Sequence, residues 1–208
     1  MNNEIYVTKN FTGKMEGMTG ITTSMFCNPN CEKLRTIKGS VCEKCYTPHS
    51  NLRFNNVKNC YERNTINLST NLYSLRDLPR VNAQYCRFES HGDLINEIHL
   101  DNFVNICRFN SDVKFTLWTK QYKILLDYFA TQKKPRNLKI VISSLMINKP
   151  INPKRFDDLG LNVKIFTVYD KDFAKENQIN INCGGRRCID CLKCYKTNRI
   201  KYINELLK

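Results

Sequence analysis

The sequence predicts an α/β fold, a parallel sheet or partial (β/α) barrel with cysteine-rich metal-binding loops near both ends. Three observations carry this expectation. Short β-prone runs alternate with helix-length stretches from residue 84 to residue 169. Such alternation calls for parallel βαβ units with right-handed crossovers. Several runs are almost wholly apolar, as in Leu138-Lys139-Ile140-Val141-Ile142, which suits strands covered on both faces. Eleven cysteines complete the picture, eight of them gathered into two groups.

In chain order, residues 1–26 mix short polar and apolar stretches with Gly13, Gly17 and Gly20, the pattern of a strand or hairpin entering a loop. The first cysteine group follows as Cys27-Asn-Pro-Asn-Cys31 and Cys42-Glu-Lys-Cys45. Two tight pairs ten residues apart form a four-thiolate layout, and Pro29 and Gly39 suit the turns of its knuckles. Zinc and an iron–sulfur cluster both satisfy that spacing. Residues 47–72 carry Leu52, Phe54, Val57, Cys60 and Tyr61 at roughly helical intervals. After Pro79 the expected order is strand 84–89, helix 94–109, strand 113–119, helix 122–131, strand 138–144 and strand 163–169.

Each strand run ends in reactive or polar residues: Arg87 to Asp93 after the first, then Trp118-Thr119-Lys120, Ser143-Ser144 and Tyr169-Asp170. In parallel α/β folds the C-terminal strand edge is where ligands bind, so a shared functional edge is expected there. Glu89, His91 and Asp93 are the acid–base candidates, because a histidine near carboxylates has a tunable proton affinity. Lys120 would hold an anionic substrate. Ordinary structural roles compete: Glu89 would pair with Arg87, and Asp93 would cap the next helix.

The second cysteine group is the denser one, Cys183-Gly-Gly-Arg-Arg-Cys188-Ile-Asp-Cys191-Leu-Lys-Cys194. Its Cys-x4-Cys-x2-Cys spacing repeats a ferredoxin-like pattern. Gly184 and Gly185 would supply the positive φ angles a wrapping loop needs. A cluster of the [4Fe–4S] kind is the expected cofactor here, with zinc as the alternative. Cys60, Cys86 and Cys107 read as buried small apolar residues, with Cys60 or Cys86 in reserve as a missing ligand.

The 41% hydrophobic share is enough for a core, so the chain is expected to hold one domain with a small appendage. Residues 1–182 would be the α/β domain, including the cysteine loop 27–45. Residues 183–208 would be a cysteine-rich loop followed by a basic helix with Ile200, Ile203, Leu206 and Leu207 on its apolar face. No run of eighteen apolar residues occurs, and the start, Met1-Asn2-Asn3-Glu4, has no signal-peptide pattern. No membrane association and a place in the cytoplasm, inside a host cell, are therefore expected. In such a reducing compartment eleven cysteines point to metal ligation rather than disulfides.

The formal charge is +14, which two four-thiolate centres would lower to about +10. That excess suits nucleic acid or another polyanion as partner. Between residues 183 and 208 there are seven Lys/Arg against two Asp/Glu. Arg186, Arg187, Lys193, Lys196, Arg199 and Lys201 are the candidate nucleic-acid contacts, with Tyr195 and Tyr202 interleaved for base stacking. The same cations would also offset the charge of a cluster.

The motifs Phe11-Thr-Gly-Lys-Met-Glu-Gly, the Cys27 and Cys42 pairs, Arg87-Phe-Glu-Ser-His-Gly-Asp, Leu117-Trp-Thr-Lys, Phe166-Thr-Val-Tyr-Asp and the terminal cysteine loop occur in this order. Together they resemble the phage and prophage family named "gene product 88". That resemblance implies a phage-associated intracellular protein with a cysteine-bound metal and assigns no activity. A more distant similarity is to radical S-adenosylmethionine enzymes. There a C-x3-C-x2-C loop after the first strand leaves one iron open, and a Gly-Gly-Glu turn follows the next strand. Here Cys27-x3-Cys31 begins such a loop, Cys42-x2-Cys45 resumes it eleven residues on, and His91-Gly92-Asp93 stands at the turn. Four ligating cysteines would fill the open position, so S-adenosylmethionine is the least favoured cofactor. The expected function is an iron–sulfur protein, a redox or radical enzyme working at the strand ends; the alternative is a nucleic-acid-binding protein with structural metals.

Overall fold

The computed structural model describes residues 4–48, 55–197 and 199–207. Leu52 and Phe54 of the expected helical stretch lie outside them. Six strands form one sheet in sequence order: β1 Thr19–Ile21, β2 Tyr85–Phe88, β3 Lys114–Thr119, β4 Leu138–Ser143, β5 Lys164–Tyr169 and β6 Tyr202–Leu206. Every neighbouring pair is parallel. The longer helices lie between strands: α1 Pro29–Arg35 and α2 Asn55–Thr70 follow β1, α3 Glu97–Phe109 follows β2 and α4 Tyr122–Phe129 follows β3. Short helices α5 Lys154–Asp157, α6 Lys171–Glu176 and α7 Cys188–Cys191 complete the order. A parallel sheet wound in strict sequence with right-handed crossovers keeps its helices on one face. That is the winding of an open (β/α) barrel.

The two faces separate by residue type. Register aligns Phe88 with Leu117, Leu117 with Ile140 and Ile142 with Ile165. These side chains meet Leu100, Phe103, Val104 and Leu125 of the helices in the main apolar core. Phe88 sits between Phe103 and Phe115, with ring centroids 4.1 and 4.9 Å away. Buried asparagines close gaps that apolar residues cannot. Asn102 donates to the carbonyls of Leu68 and Asn71 at 2.8 and 2.7 Å and accepts from the Tyr73 N–H at 3.0 Å. Backbone groups in loops need such partners once buried.

The opposite face carries Gly20, Arg87, Thr116 and Lys139 in one row and Ser143, Phe166 and Ile203 in another. Gly20 is required there. A Cβ at this position would lie 2.8 Å from the Phe11 ring and 2.9 Å from the Arg87 carbonyl. The first and last elements approach across this face. Lys14, in a 3₁₀ turn before β1, pairs with Glu205 of β6, and α7 packs on that turn.

The tail is corrected in this respect: residues 202–206, expected as part of a basic helix, are strand β6. Ile203 and Glu205 share one face while Tyr202, Asn204 and Leu206 share the other. Hydrogen bonding to β5 overrode the helical spacing of Ile200, Ile203 and Leu206. The cysteine loop before it is tied in as well. Cys183 N–H donates to the Asn204 carbonyl at 2.9 Å, so the tail completes the sheet.

Candidate functional site

The 27–45 loop lies over the C-terminal edge of the sheet because polar side chains bind it to the strand ends. Asn28 caps α1, accepting from the N–H groups of Asn30 and Cys31, while its amide donates to the Asp93 carbonyl at 2.7 Å. Asn30 donates to the carbonyls of Leu94 and Ile95. Further along, Val41 N–H donates to the Leu145 carbonyl at 2.9 Å beyond β4, and the Tyr46 hydroxyl donates to the Ser90 carbonyl at 2.8 Å beyond β2. Cys31, Cys42 and Cys45 are thereby held between the ends of β2 and β4.

Their common neighbour is Lys120, directly after β3. Burial lowers the ammonium's proton affinity, but Cys42, Asp93, Cys31 and Cys45 together outweigh it and raise the value. Asp93 is held in place below. Its Oδ1 accepts from the Thr119 hydroxyl at 2.5 Å and the Leu94 N–H at 2.8 Å, and its Oδ2 from the Lys120 N–H at 3.0 Å. Asp93 does not cap α3; Asn96 does, accepting from the His99 N–H at 3.0 Å. Burial raises the Cys31 thiol, assisted by Asp93 and opposed by Lys120. Burial raises Cys42 too, again opposed by Lys120. Thiols held up in this way stay protonated and are poor nucleophiles. A cleft of about 260 Å³ opens beside Lys120, lined also by Leu34, Gln121, Tyr122, Ser143 and Leu145.

Cys27 stands apart from the set with which its spacing grouped it. It ends the 3₁₀ turn Met25–Cys27, is exposed, and has Glu62, Ser24 and Lys58 as its neighbours. None of these is among the main influences on Cys31 or Cys42.

Of the four candidate catalytic residues, Asp93 and Lys120 act most on the thiols, and Glu89 adds a smaller influence on Cys31. Glu89 adopts φ 57°, in the left-handed region, which turns its side chain back into the protein. Its carboxylate accepts from the Thr23 hydroxyl at 3.0 Å and the Thr23 N–H at 3.2 Å. His99 Nε2 lies 3.3 Å away, without the alignment of a hydrogen bond. Glu89 therefore does not pair with Arg87. The sequence reading passed over Thr23 and His99 because neither stands in a recognisable motif.

His91 is enclosed by the rings of Phe11, Tyr46 and Tyr61. Burial, followed by the Arg87 charge, lowers its pKa to about 4, with Glu89 opposing. Since the unfolded chain titrates near 6.5, it takes up a proton between about pH 6.5 and 4 that the folded chain refuses. The neutral ring's contribution is complete above pH 6.5 and lost as pH falls through 4, a change of about 3 kcal/mol. Denaturation midpoints measured from pH 7.5 to 4.5 should fall less steeply in His91→Phe than in the wild type. Parallel curves would count against this assignment.

The terminal cysteines occupy the other face of the sheet. Gly184 and Gly185 take φ angles of 157° and 71°, as expected for a wrapping loop. Cys188 and Cys194 both lie within the field of Arg87 on β2, and Cys183 and Cys188 within that of Lys14. Burial raises the Cys194 thiol to about 12, with Arg87 the main opposing influence and Cys183, Cys188 and Cys191 adding to the rise. Arg87 stacks over the Trp118 ring at 4.1 Å, and its Nε is buried with no hydrogen-bond partner. Among the described residues no carboxylate pairs with it. A part-buried cation beside Cys188 and Cys194 is what an anionic thiolate centre would need opposite it. The chemistry of both donor sets therefore fits a thiolate-bound cofactor. Among the described residues no group of three or more His, Cys, Asp or Glu side chains is placed to hold a metal ion.

The remaining cysteines behave largely as expected: Cys86 and Cys107 are buried in the apolar core, while Cys60 is half-buried beside Arg63. Tyr195 departs from expectation. It is buried, edge-on to Tyr85 at 5.2 Å, and so cannot stack on a base. Of the six tail cations, Arg187 pairs with Asp190 at 2.9 Å, Lys193 donates to the Asn182 carbonyl, and Lys201 pairs with Asp157 at 2.5 Å.

These features define a singly wound α/β protein with thiol-rich loops on its strand-end edge and on the face opposite its helices. The chain belongs to the Gene product 88 family, the phage-type family its motifs resemble, whose profile matches residues 8–201. No curated protein and no solved structure matches it. No helix among the described residues is long and apolar enough to cross a membrane.

Proposed function

We propose that this protein is an iron–sulfur enzyme of redox or radical type, working at the C-terminal edge of the sheet. The observation that carries the reading is the grouping of Cys31, Cys42 and Cys45, without Cys27, around Lys120 and Asp93. A [4Fe–4S] cluster held by three thiolates supplies single electrons and keeps one iron available to an outside ligand. In this reading Cys31, Cys42 and Cys45 hold that cluster. Lys120 balances its charge and presents a cation to the adjacent cleft. Asp93, fixed by three donors, is the acid–base group nearest to both. Cys183, Cys188, Cys191 and Cys194 hold a second cluster against Arg87, where electrons can be stored or passed inward.

With Cys27 apart, the C-x3-C start of the radical S-adenosylmethionine pattern is lost, although three ligating cysteines after β1 would leave one iron open. S-adenosylmethionine would remain the least favoured ligand for that position. Zinc is the competing metal at either set. One ion would draw its thiolates together at about 2.3 Å from itself, whereas a cluster seats each sulfur on a separate iron. Metal and sulfide analysis of protein purified without oxygen tests the proposal: iron with acid-labile sulfide supports it, and zinc alone overturns it.

A further inference from the structure

At the strand edge opposite the three thiols, a cleft of about 200 Å³ is lined by Lys139 from β4, Lys164 from β5, and Lys196, Arg199 and Lys201 from the segment leading into β6. Five cations share this space. Lys201 pairs with Asp157. No carboxylate pairs with Lys139, Lys196 or Arg199 among the described residues. Lys164 is buried, and its ammonium donates to the Ile200 carbonyl at 2.8 Å, pinning the segment that carries Arg199. Burial and then the Lys139 charge lower the proton affinity of Lys164, against the pull of Cys194.

Charge balance for a terminal cluster does not explain this concentration. The cations acting most on Cys183, Cys188 and Cys194 are Lys14 and Arg87, and of the cleft's cations Lys164 alone feels Cys194. Neither Lys14 nor Arg87 lines the cleft, and Lys139, Lys196 and Arg199 are not among the main influences on these cysteines. A small concave site crowded with like charge gains most from a compact, multiply charged anion. Arg and Lys together provide both the forked and the point-charge donors that phosphate oxygens accept.

We propose that this cleft is a phosphate-binding site, with Lys139, Lys196 and Arg199 as the contacts and Lys164 as the buried support that shapes it. The phosphate can belong to a nucleic-acid backbone or to a free phosphate compound; both present the same oxygens. The proposal does not depend on the thiol centres, which lie at the other strand edge and around Arg87.

The test uses the full chain purified without oxygen, with pyrophosphate and a single-stranded oligonucleotide as probes in separate titrations. Lys196→Gln combined with Arg199→Gln should weaken binding at least tenfold. Lys171→Gln with Lys175→Gln, an equal charge change on exposed α6, should leave it unaltered. Lys139→Gln provides a second, independent variant. If the oligonucleotide binds, removing two contacts should lower the slope of log affinity against log salt by about 1.5. Oligonucleotide binding with that change supports the site and assigns nucleic acid to it. Pyrophosphate binding alone supports the site and assigns a small phosphate compound. No binding of either probe, or equal weakening by the α6 control, would overturn it.

Discussion

Cys42→Ala is expected to leave the protein folded but with about half its iron and sulfide, because a cluster does not survive the loss of one of three thiolates. Cys42 lies in a loop, half-buried and outside the apolar core, so the sheet does not depend on it. Cys27→Ala should retain the full complement, since Cys27 faces Glu62 and Lys58 rather than Lys120. Cys188→Ala should lose the other half, as the terminal set is separate. Iron and sulfide assays on the three variants read these outcomes directly. Equal losses in Cys27→Ala and Cys42→Ala would restore the four-cysteine set that spacing alone suggests.

Gly92→Ala should have the larger effect on the fold. A Cβ at Gly92 would stand 2.2 Å from Thr23 Oγ1, 2.7 Å from Glu89 Oε2 and 2.8 Å from the Thr23 carbonyl oxygen. The last contact is with backbone, which cannot rotate away. Thr23 and Glu89 are also buried and bonded to each other. Overpacking such a site costs about 3 kcal/mol. The shift would displace Asp93 one residue on, and with it the support of Lys120. Urea denaturation should show a clear fall in midpoint with an unchanged slope. A midpoint equal to the wild type's would mean that this turn is looser than its contacts indicate.

Much of the fold was legible in the chain. The runs that became β2 to β5 are β-prone and largely apolar, and the helices after β2 and β3 carry their apolar residues at helical spacing, so element type followed from local pattern. β1 and β6 were harder for a shared reason. β1 is three residues, Thr-Gly-Ile, too short for a pattern. β6 places Glu205 on a half-buried face where its partner is Lys14, far away in sequence. Only the closing of the sheet's two ends toward each other makes Glu205 suitable there. The candidate site shows the same division. The cysteines, Asp93 and Lys120 stand in visible motifs at strand ends. The separation of Cys27 from Cys31 is not visible, because it depends on α2 packing beside the 3₁₀ turn. The facing of Arg87 toward the terminal thiols depends on the register of β2 and the path of the tail.

The basic composition divides in a similar way. Counted along the tail, its cations form one stretch. In the fold Arg187 and Lys193 are engaged locally, while Lys196, Arg199 and Lys201 join Lys139 and Lys164 from two strands. The site belongs to the sheet edge rather than to the cysteine loop.

We propose that the two cysteine sets each bind an iron–sulfur cluster. This is tested most directly by iron, sulfide and zinc analysis of the full chain purified without oxygen, together with its absorption spectrum. Two [4Fe–4S] clusters would give a brown protein with about eight iron and eight sulfide per chain. A colourless protein containing zinc and no sulfide would contradict the proposal.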